Sequence, residues 1–101
     1  MITCYLNYKI NPYKLKEFEI YAKKWIPLVH KFGGIHHGYF LPHEKNNDMA
    51  IALFSFPSLT AYETYRKDCF KDNECLEAFK YASKTKCIIN YDRSFLRPLF
   101  K

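Results

Sequence analysis

The stretch Met49–Phe56, MAIALFSF, decides the fold of this chain. All of its residues except Ser55 are apolar. Strict alternation along a strand puts one apolar set on each side: Met49, Ile51 and Leu53 on the first, and Ala50, Ala52, Phe54 and Phe56 on the second. A strand that is apolar on both sides is typical of a sheet that is covered on both faces.

Three further segments have strand character. The first is ITCYLNYKI (Ile2–Ile10), in which Ile2, Cys4, Leu6, Tyr8 and Ile10 share one face. The second is HHGYFL (His36–Leu41), which Pro42 ends. His43–Asp48 is a polar connection of hairpin type that leads into Met49–Phe56. The last strand is predicted over Thr85–Leu96, shortly before Pro98.

A long helix is predicted between the first two strands. Asn11 is the expected N-cap and Pro12 the first helical residue, where a missing N–H costs nothing. An apolar stripe then runs for about 20 residues, through Leu15, Phe18, Ala22, Trp25, Val29 and Phe32. Pro27 predicts a kink, because the stripe continues past it. Gly33 and Gly34 are expected to end the helix with positive φ angles.

A second helical region follows Pro57–Ser58. Thr60–Glu63 has the form of a capping box, in which a Thr side chain and a Glu side chain pair with each other's backbone N–H. Asp72–Glu74 is expected to restart the helix. The buried face is predicted to comprise Leu59, Tyr62, Tyr65, Cys69, Cys75, Phe79 and Ala82.

The predicted order is β-α-β-β-α-β, the ferredoxin-like α+β arrangement of a four-stranded antiparallel sheet with both helices on one face. We interpret residues 1–101 as a single domain. Two helices cover only one face of such a sheet. Since both sides of Met49–Phe56 are apolar, whichever side faces away from the helices would stay exposed on a monomer. We therefore predict a homodimer through the sheet faces.

The composition of the chain supports a folded protein and sets limits on its location. Aromatic residues make up 19% of the 101 residues, which suggests that some pack against a second copy or line a ligand cavity. The net charge is +6, but Lys and Arg are scattered and form no run.

Neither a signal peptide nor a membrane span is evident, so we predict a cytoplasmic protein with four reduced cysteines and no membrane partner.

Three stretches resemble the NIPSNAP family, which belongs to the wider dimeric α+β barrel superfamily: YAKKWIPLVHKFGGIHHGYFLP (Tyr21–Pro42), ALFSFPSLTAYETYRKD (Ala52–Asp68) and YDRSFLRPLF (Tyr91–Phe100). The resemblance extends from Ile2 to Phe100. It implies two sheets packed face to face in a barrel-like dimer. Superfamily relatives include cofactor-independent monooxygenases, haem-dependent enzymes and lactone isomerases. The family has no agreed catalytic signature, so the resemblance assigns no catalytic residue.

The adjacent His36 and His37 raise the question of a metal. Neighbours on a strand point to opposite faces, so this pair cannot chelate one ion. Further ligands would have to come from His30, His43 or a carboxylate, and none stands at diagnostic spacing. His37 could be an axial haem ligand, but nothing distinguishes it from an ordinary strand histidine. We predict neither a metal nor another cofactor.

A small-molecule pocket between the sheet and the helices is the favoured hypothesis. Trp25, Phe54 and Tyr62 would form walls suited to a flat hydrophobic or aromatic molecule. His37 is the candidate base or hydrogen-bond partner, with Tyr39 and Tyr91 as orienting phenols and Arg93 as an anion contact. His36 could exchange roles with His37. Turnover, if it occurs, would resemble that of a cofactor-independent monooxygenase.

Two alternatives remain open at this point. In the first, the same residues satisfy one another inside a dimer core, and the chain is a non-catalytic interaction or stress-response protein. In the second, the chain is an RNA-recognition module, which shares the β-α-β-β-α-β order. The third strand of such a module carries glycines, a basic residue and stacking aromatics. MAIALFSF has neither glycine nor a basic residue, so we expect no nucleic-acid partner.

Overall fold

The computed structural model describes residues 1–44 and 48–100. This part of the chain forms one four-stranded antiparallel sheet of order β2-β3-β1-β4 with helices packed on it. The elements in chain order are β1 (Ile2–Ile10), α1 (Leu15–Lys31), β2 (Ile35–Phe40), β3 (Met49–Phe56), α2 (Leu59–Cys69), α3 (Asn73–Thr85) and β4 (Ile88–Leu96). The predicted ferredoxin-like α+β fold is confirmed. The predicted hairpin connection, His43–Asp48, falls partly on residues 45–47, which lie outside the described residues.

The second helical region consists of two helices, as the predicted restart implied. Asp72 is the N-cap of α3, and its Oδ1 accepts a hydrogen bond from the Cys75 N–H at 3.0 Å. Helix α3 continues through Thr85 and ends at Lys86, which has a left-handed φ of 56°. The last strand therefore begins at Ile88, three residues later than predicted at Thr85.

The predicted start of α1 at Asn11–Pro12 was wrong. Asn11 Oδ1 accepts a hydrogen bond from the Tyr13 N–H at 3.0 Å, and the Asn11 carbonyl accepts one from the Lys14 N–H at 2.9 Å. Asn11 thus organises a turn before the helix, a role that suits its short polar side chain. The N-cap is Lys14, whose side chain makes no capping hydrogen bond.

The predicted capping box at Thr60–Glu63 was also wrong. Ser58 is the N-cap of α2, and its Oγ accepts a hydrogen bond from the Ala61 N–H at 3.1 Å. Thr60 lies inside the first turn, where its carbonyl accepts a hydrogen bond from Thr64 Oγ1. The serine immediately after Pro57 competes successfully for the cap position, because its backbone is extended as an N-cap requires.

The end of α1 depends on two glycines that serve different purposes. The helix continues through Pro27, as predicted, and Gly33 then has a φ of +91°. Gly34 does not have a positive φ, contrary to expectation. A Cβ at Gly34 would lie 2.7 Å from Phe56 Cζ and 2.8 Å from Val29 Cγ1, so this glycine is needed for close packing of the α1 end on β3.

A β-bulge interrupts the pairing of β2 with β3. His36 pairs with Phe54 and Gly38 pairs with Leu53, so His37 is the extra residue. Gly38 has a φ of +106°, a conformation that side-chain-bearing residues rarely adopt. After the bulge Tyr39 pairs with Ala52, so its side chain shares the helix-covered face with that of His36.

The two faces of β3 differ as the alternation predicts. Ala50, Ala52, Phe54 and Phe56 are buried against the helices, in a core that also holds Phe18 and Val29. Ile51 and Leu53 lie on the opposite face and stay partly exposed. We call this opposite side of the sheet the outer face. Within residues 1–44 and 48–100, α1, α2 and α3 all pack on the inner side, and none of them covers the outer face.

All four cysteines, Cys4, Cys69, Cys75 and Cys87, are free thiols and are buried. Burial raises the pKa of the Cys4 thiol to about 11, against the lowering effect of Arg93. Within the described residues, no helix combines the length and the apolar character that crossing a membrane requires.

Candidate functional site

A cavity of about 300 Å³ lies between the inner face of the sheet and the helices. Strands β1, β2, β3 and β4 contribute inward-pointing side chains to one wall, and α1, α2 and α3 form the other. Aromatic rings make up most of the lining, and many of them, such as the phenols of the tyrosines, carry a polar group at the ring edge. This combination is typical of small-molecule sites.

The cavity brings together all of the predicted site residues except His37. Trp25, His36, Tyr39, Phe54, Tyr62, Tyr91 and Arg93 line it. Trp25 comes from α1 and Tyr62 from α2, and the remaining five lie on β2, β3 and β4. Tyr91 and Arg93 pair with Tyr8 and Leu6 of β1, and this register points both side chains inward.

His37 lies on the outer face instead. Its Nε2 is 2.7 Å from Ser55 Oγ, which in turn is 2.7 Å from Thr3 Oγ1. Ser55 is only 1% exposed, because the histidine and threonine side chains cover it. This short chain of polar groups is separated from the cavity by the sheet. Of the two adjacent histidines, His36 is therefore the one in the cavity wall.

His36 is held in one orientation and one tautomer. Its ring stacks on those of Tyr39 and Phe54, with centroids 4.9 Å and 5.6 Å apart. The Gly38 N–H donates a hydrogen bond to His36 Nδ1 at 2.9 Å. Burial, together with the nearby His30 and His37, lowers the pKa of His36 to about 4. The ring is thus neutral, with Nδ1 occupied as an acceptor, and its proton resides on Nε2 as a donor.

Several tyrosines of the wall were not singled out from the sequence. Tyr8, Tyr21 and Tyr65 line the cavity, and burial raises the pKa of each phenol well above its usual value. The Tyr8 ring lies 5.8 Å from that of Tyr91. Tyr8 belongs to the set of β1 residues that alternation places on one face of the strand. Its position in that set was the sequence signal that could have identified it as a wall residue. The buried phenols stay protonated and can donate hydrogen bonds.

Trp25 contributes a buried donor without a well-aligned partner. The residue is 6% exposed, and within the described residues its Nε1 makes no hydrogen bond of good geometry. The Tyr21 hydroxyl is the polar group beside it, because the Trp25 N–H partly offsets the rise in the pKa of Tyr21. Its ring packs against Tyr21 and Phe79, at centroid distances of 6.2 Å and 5.1 Å. Because a buried N–H without a well-aligned partner is costly, such a group in a cavity wall suggests an acceptor that occupies the cavity.

The charged groups of the lining have one sign. Arg66 and Arg93 are part of it, whereas no Asp or Glu of the described residues is. Arg93 Cζ lies 6.0 Å from the Tyr62 ring centroid, in cation–π range. No three His, Cys, Asp or Glu side chains in the described ranges are grouped so that they could hold a metal ion.

Comparison with known proteins identifies a family. The NIPSNAP family model matches residues 5–100 of the chain. No curated protein matches the sequence at a significant level.

Solved structures share the whole fold at low sequence identity. A protein from Agrobacterium tumefaciens has a TM-score of 0.84 and 15% identity, over 98% of this chain and 94% of that chain. A NIPSNAP family protein from the same organism has a TM-score of 0.81 and 19% identity, with coverages of 97% and 92%. A Nitrosomonas europaea protein, provisionally named an antibiotic biosynthesis monooxygenase, has a TM-score of 0.76 and 6% identity, with coverages of 99% and 100%. At these identities the likeness shows the fold alone.

Proposed function

The chain belongs to the NIPSNAP family, and from that premise we propose that it is a small-molecule binding protein whose cavity takes a flat hydrophobic or aromatic molecule. The observation that carries this proposal is the cavity itself, whose lining is mostly aromatic and includes the Trp25 Nε1, a donor without a well-aligned acceptor. A core filled by its own side chains would leave no such space.

The size and lining of the cavity support a planar ligand. Its volume of about 300 Å³ lies at the lower end of the range for drug-sized ligand sites. The rings of His36 and Phe54 in the sheet wall and of Tyr62 in the helical wall follow one another, with near-parallel planes in each successive pair. An aromatic molecule would extend this arrangement through offset-stacked or edge-to-face contacts.

Native mass spectrometry of the protein purified from its own host tests the proposal. We expect a small adduct that is released by mild denaturation, which would also give the ligand's mass. Ala82 lines the cavity from α3, so Ala82→Phe should fill it and remove the adduct. Glu77→Phe adds the same ring at an exposed position of α3 and is the matched control. A folded wild-type protein without any adduct would favour the non-catalytic interaction protein.

We further propose that two chains associate through their outer faces. Ile35, Phe40 and Leu96 belong to this face by register and are each about half exposed, at 48%, 56% and 49%. Leu53 and Ile51 join them in the middle of the sheet. Monomers rarely expose so many neighbouring apolar side chains. A second copy would bury them and would give the barrel-like arrangement that the family resemblance implies.

Oxidation of the bound molecule is a second candidate function. Its support is the fold shared with the Nitrosomonas europaea protein and the donors of the cavity, which would stabilise an enolate oxygen of the substrate. The expected conversion is R₂CH₂ + O₂ → R₂C=O + H₂O, which needs no reductant. Oxygen uptake with anthrone tests it, and Ala82→Phe corrects for spontaneous oxidation. Equal rates with both proteins would exclude oxidation of anthrone and would favour binding alone.

The compartment is also a proposal. Four free, buried thiols are compatible with a reducing environment, and we place the protein in the cytoplasm on that ground.

A further inference from the structure

We propose that the ligand class of this cavity is an aromatic anion, a planar molecule that carries a carboxylate or phenolate oxygen. The inference rests on the proposed function and makes it more specific. Two properties of the cavity lining support it: its charges are positive, and its polar groups are mainly hydrogen-bond donors. Three groups of residues give the lining these properties.

The first group is the pair of arginines. Arg66 and Arg93 supply positive charge, and neither forms an ion pair with a carboxylate of the described residues. The Arg93 guanidinium lies against the Tyr62 ring. The Tyr62 ring in turn stacks on that of Phe54 in the sheet wall, with centroids 6.3 Å apart. A cation without a carboxylate partner, beside an apolar cavity, attracts an anion and repels a cation.

The second group is His36, whose ring lies in the sheet wall of the cavity and stacks on that of Phe54. Because the Gly38 N–H already occupies Nδ1, the neutral ring cannot accept a proton from a ligand at that atom without losing this bond. Its free nitrogen, Nε2, carries the proton. His36 therefore acts as a positioned donor, which selects for an acceptor oxygen.

The third group is Trp25, whose Nε1–H can only donate. It lies on the opposite, helical side of the cavity, near Tyr21. Tyr8 and Tyr39 are hydrogen-bonded to each other, so one of these two neutral phenols keeps an O–H to donate to a ligand. The lining therefore offers more donors than obligate acceptors. A ligand rich in acceptors satisfies these groups, whereas an ammonium ligand would leave them unpaired and would oppose the arginines.

Isothermal titration calorimetry with three naphthalene probes tests the inference. The probes are 2-naphthoate, its neutral methyl ester and the cationic 2-naphthylmethylammonium. We expect 2-naphthoate to bind roughly tenfold or more tightly than the ester, as is typical of hydrogen bonds to a charged group. The cation should bind most weakly.

Arg93→Gln should reduce the affinity for 2-naphthoate to about that of the ester and leave the ester's affinity unchanged. Arg93→Lys keeps the positive charge, so it should keep part of the preference for 2-naphthoate over the ester. This variant therefore separates the loss of charge from an effect of the substitution on folding. Arg97→Gln removes one charge outside the cavity and is the matched control, so it should change neither affinity.

The outcomes separate this inference from the proposed function. If the ester binds as tightly as 2-naphthoate, the anion preference is wrong while binding of aromatic molecules stands. If Arg97→Gln and Arg93→Gln have equal effects, the assignment of the anion contact to Arg93 in the cavity is wrong. If none of the probes binds to the folded protein, both are wrong.

Discussion

The rings of His36 and Tyr39 stack with their centroids 4.9 Å apart, although the two residues stand three positions apart on one strand. In a regular strand this spacing would place them on opposite faces. The bulge at His37 makes the contact possible, because two residues of β2 then occupy the place of one. The composition of the cavity wall thus depends on a local backbone irregularity.

We predict that Gly38→Ala disturbs this wall. The φ of +106° at Gly38 is accessible to glycine, and an alanine there should cost roughly 1–2 kcal/mol or force the bulge to rearrange. Urea unfolding measures the loss, and binding of 2-naphthoate should weaken in parallel. His37→Ala keeps the glycine and removes only an outer-face side chain, so it should leave binding intact. Unchanged stability of Gly38→Ala would contradict this account of the bulge.

The two glycines at the end of α1 should respond differently to asparagine. Asn tolerates positive φ and has no close neighbour at Gly33, so Gly33→Asn should cost less than about 1 kcal/mol. Gly34→Asn would press a Cβ into Phe56 and Val29 and should cost about 1–3 kcal/mol. Thermal or urea unfolding of both variants compares them directly. Equal losses would show that space at Gly34 is not the deciding factor.

Adjacent aspartate substitutions in β3 should separate the dimer from the fold. Leu53→Asp places a charge on the outer face, so we expect a folded monomer with native far-UV circular dichroism. Phe54→Asp places a charge in the core, where Phe54 is 5% exposed, and should prevent folding. Size-exclusion chromatography with light scattering gives the mass. A Leu53→Asp protein that stays dimeric would exclude the outer face as the interface.

Stability should decrease as the solution becomes acidic, because of His36. Its pKa falls from an ordinary 6.5 to about 4 on folding, so between these values the unfolded chain takes up a proton that the folded chain does not. The stabilisation is complete above about pH 6.5 and is lost progressively as the pH falls towards 4.

Urea midpoints at about pH 7 and about pH 4.5 measure this effect. His36→Gln should flatten the dependence. His43→Gln removes an exposed histidine and should keep the wild-type slope. If the two variants have the same slope, protonation of His36 does not control acid stability.

The sequence predicted the sheet and helix α1 because their signals are periodic and long. The alternation of Met49–Phe56 identified both faces of β3, and the stripe from Leu15 to Phe32 continued correctly past Pro27. The helix starts were less predictable. Asn11 and Thr60 are good capping residues, but Asn11 forms a hydrogen bond with the Tyr13 N–H in a turn before α1, and Ser58 caps α2 in place of Thr60.

The candidate site was less predictable than the fold because it depends on which face of its strand each side chain occupies. Alternation grouped His37 with Tyr39, whereas the bulge groups His36 with Tyr39. A glycine inside a strand is a recognised indication of a bulge, and Gly38 was therefore the signal that could have assigned the histidines. The lack of a well-aligned partner for Trp25 Nε1 depends on tertiary packing, and no local pattern carries it.

The burial of all four thiols gives the molecule four internal reporters of its own motion. Cys4 lies in β1, Cys69 ends α2, Cys75 is in the first turn of α3 and Cys87 precedes β4. A thiol reagent can reach each one only when the surrounding structure opens. Timed alkylation followed by peptide mass analysis would therefore rank the local opening of the sheet and of the two shorter helices in the unmodified protein. A ligand that occupies the cavity should slow the opening of the elements that it holds together.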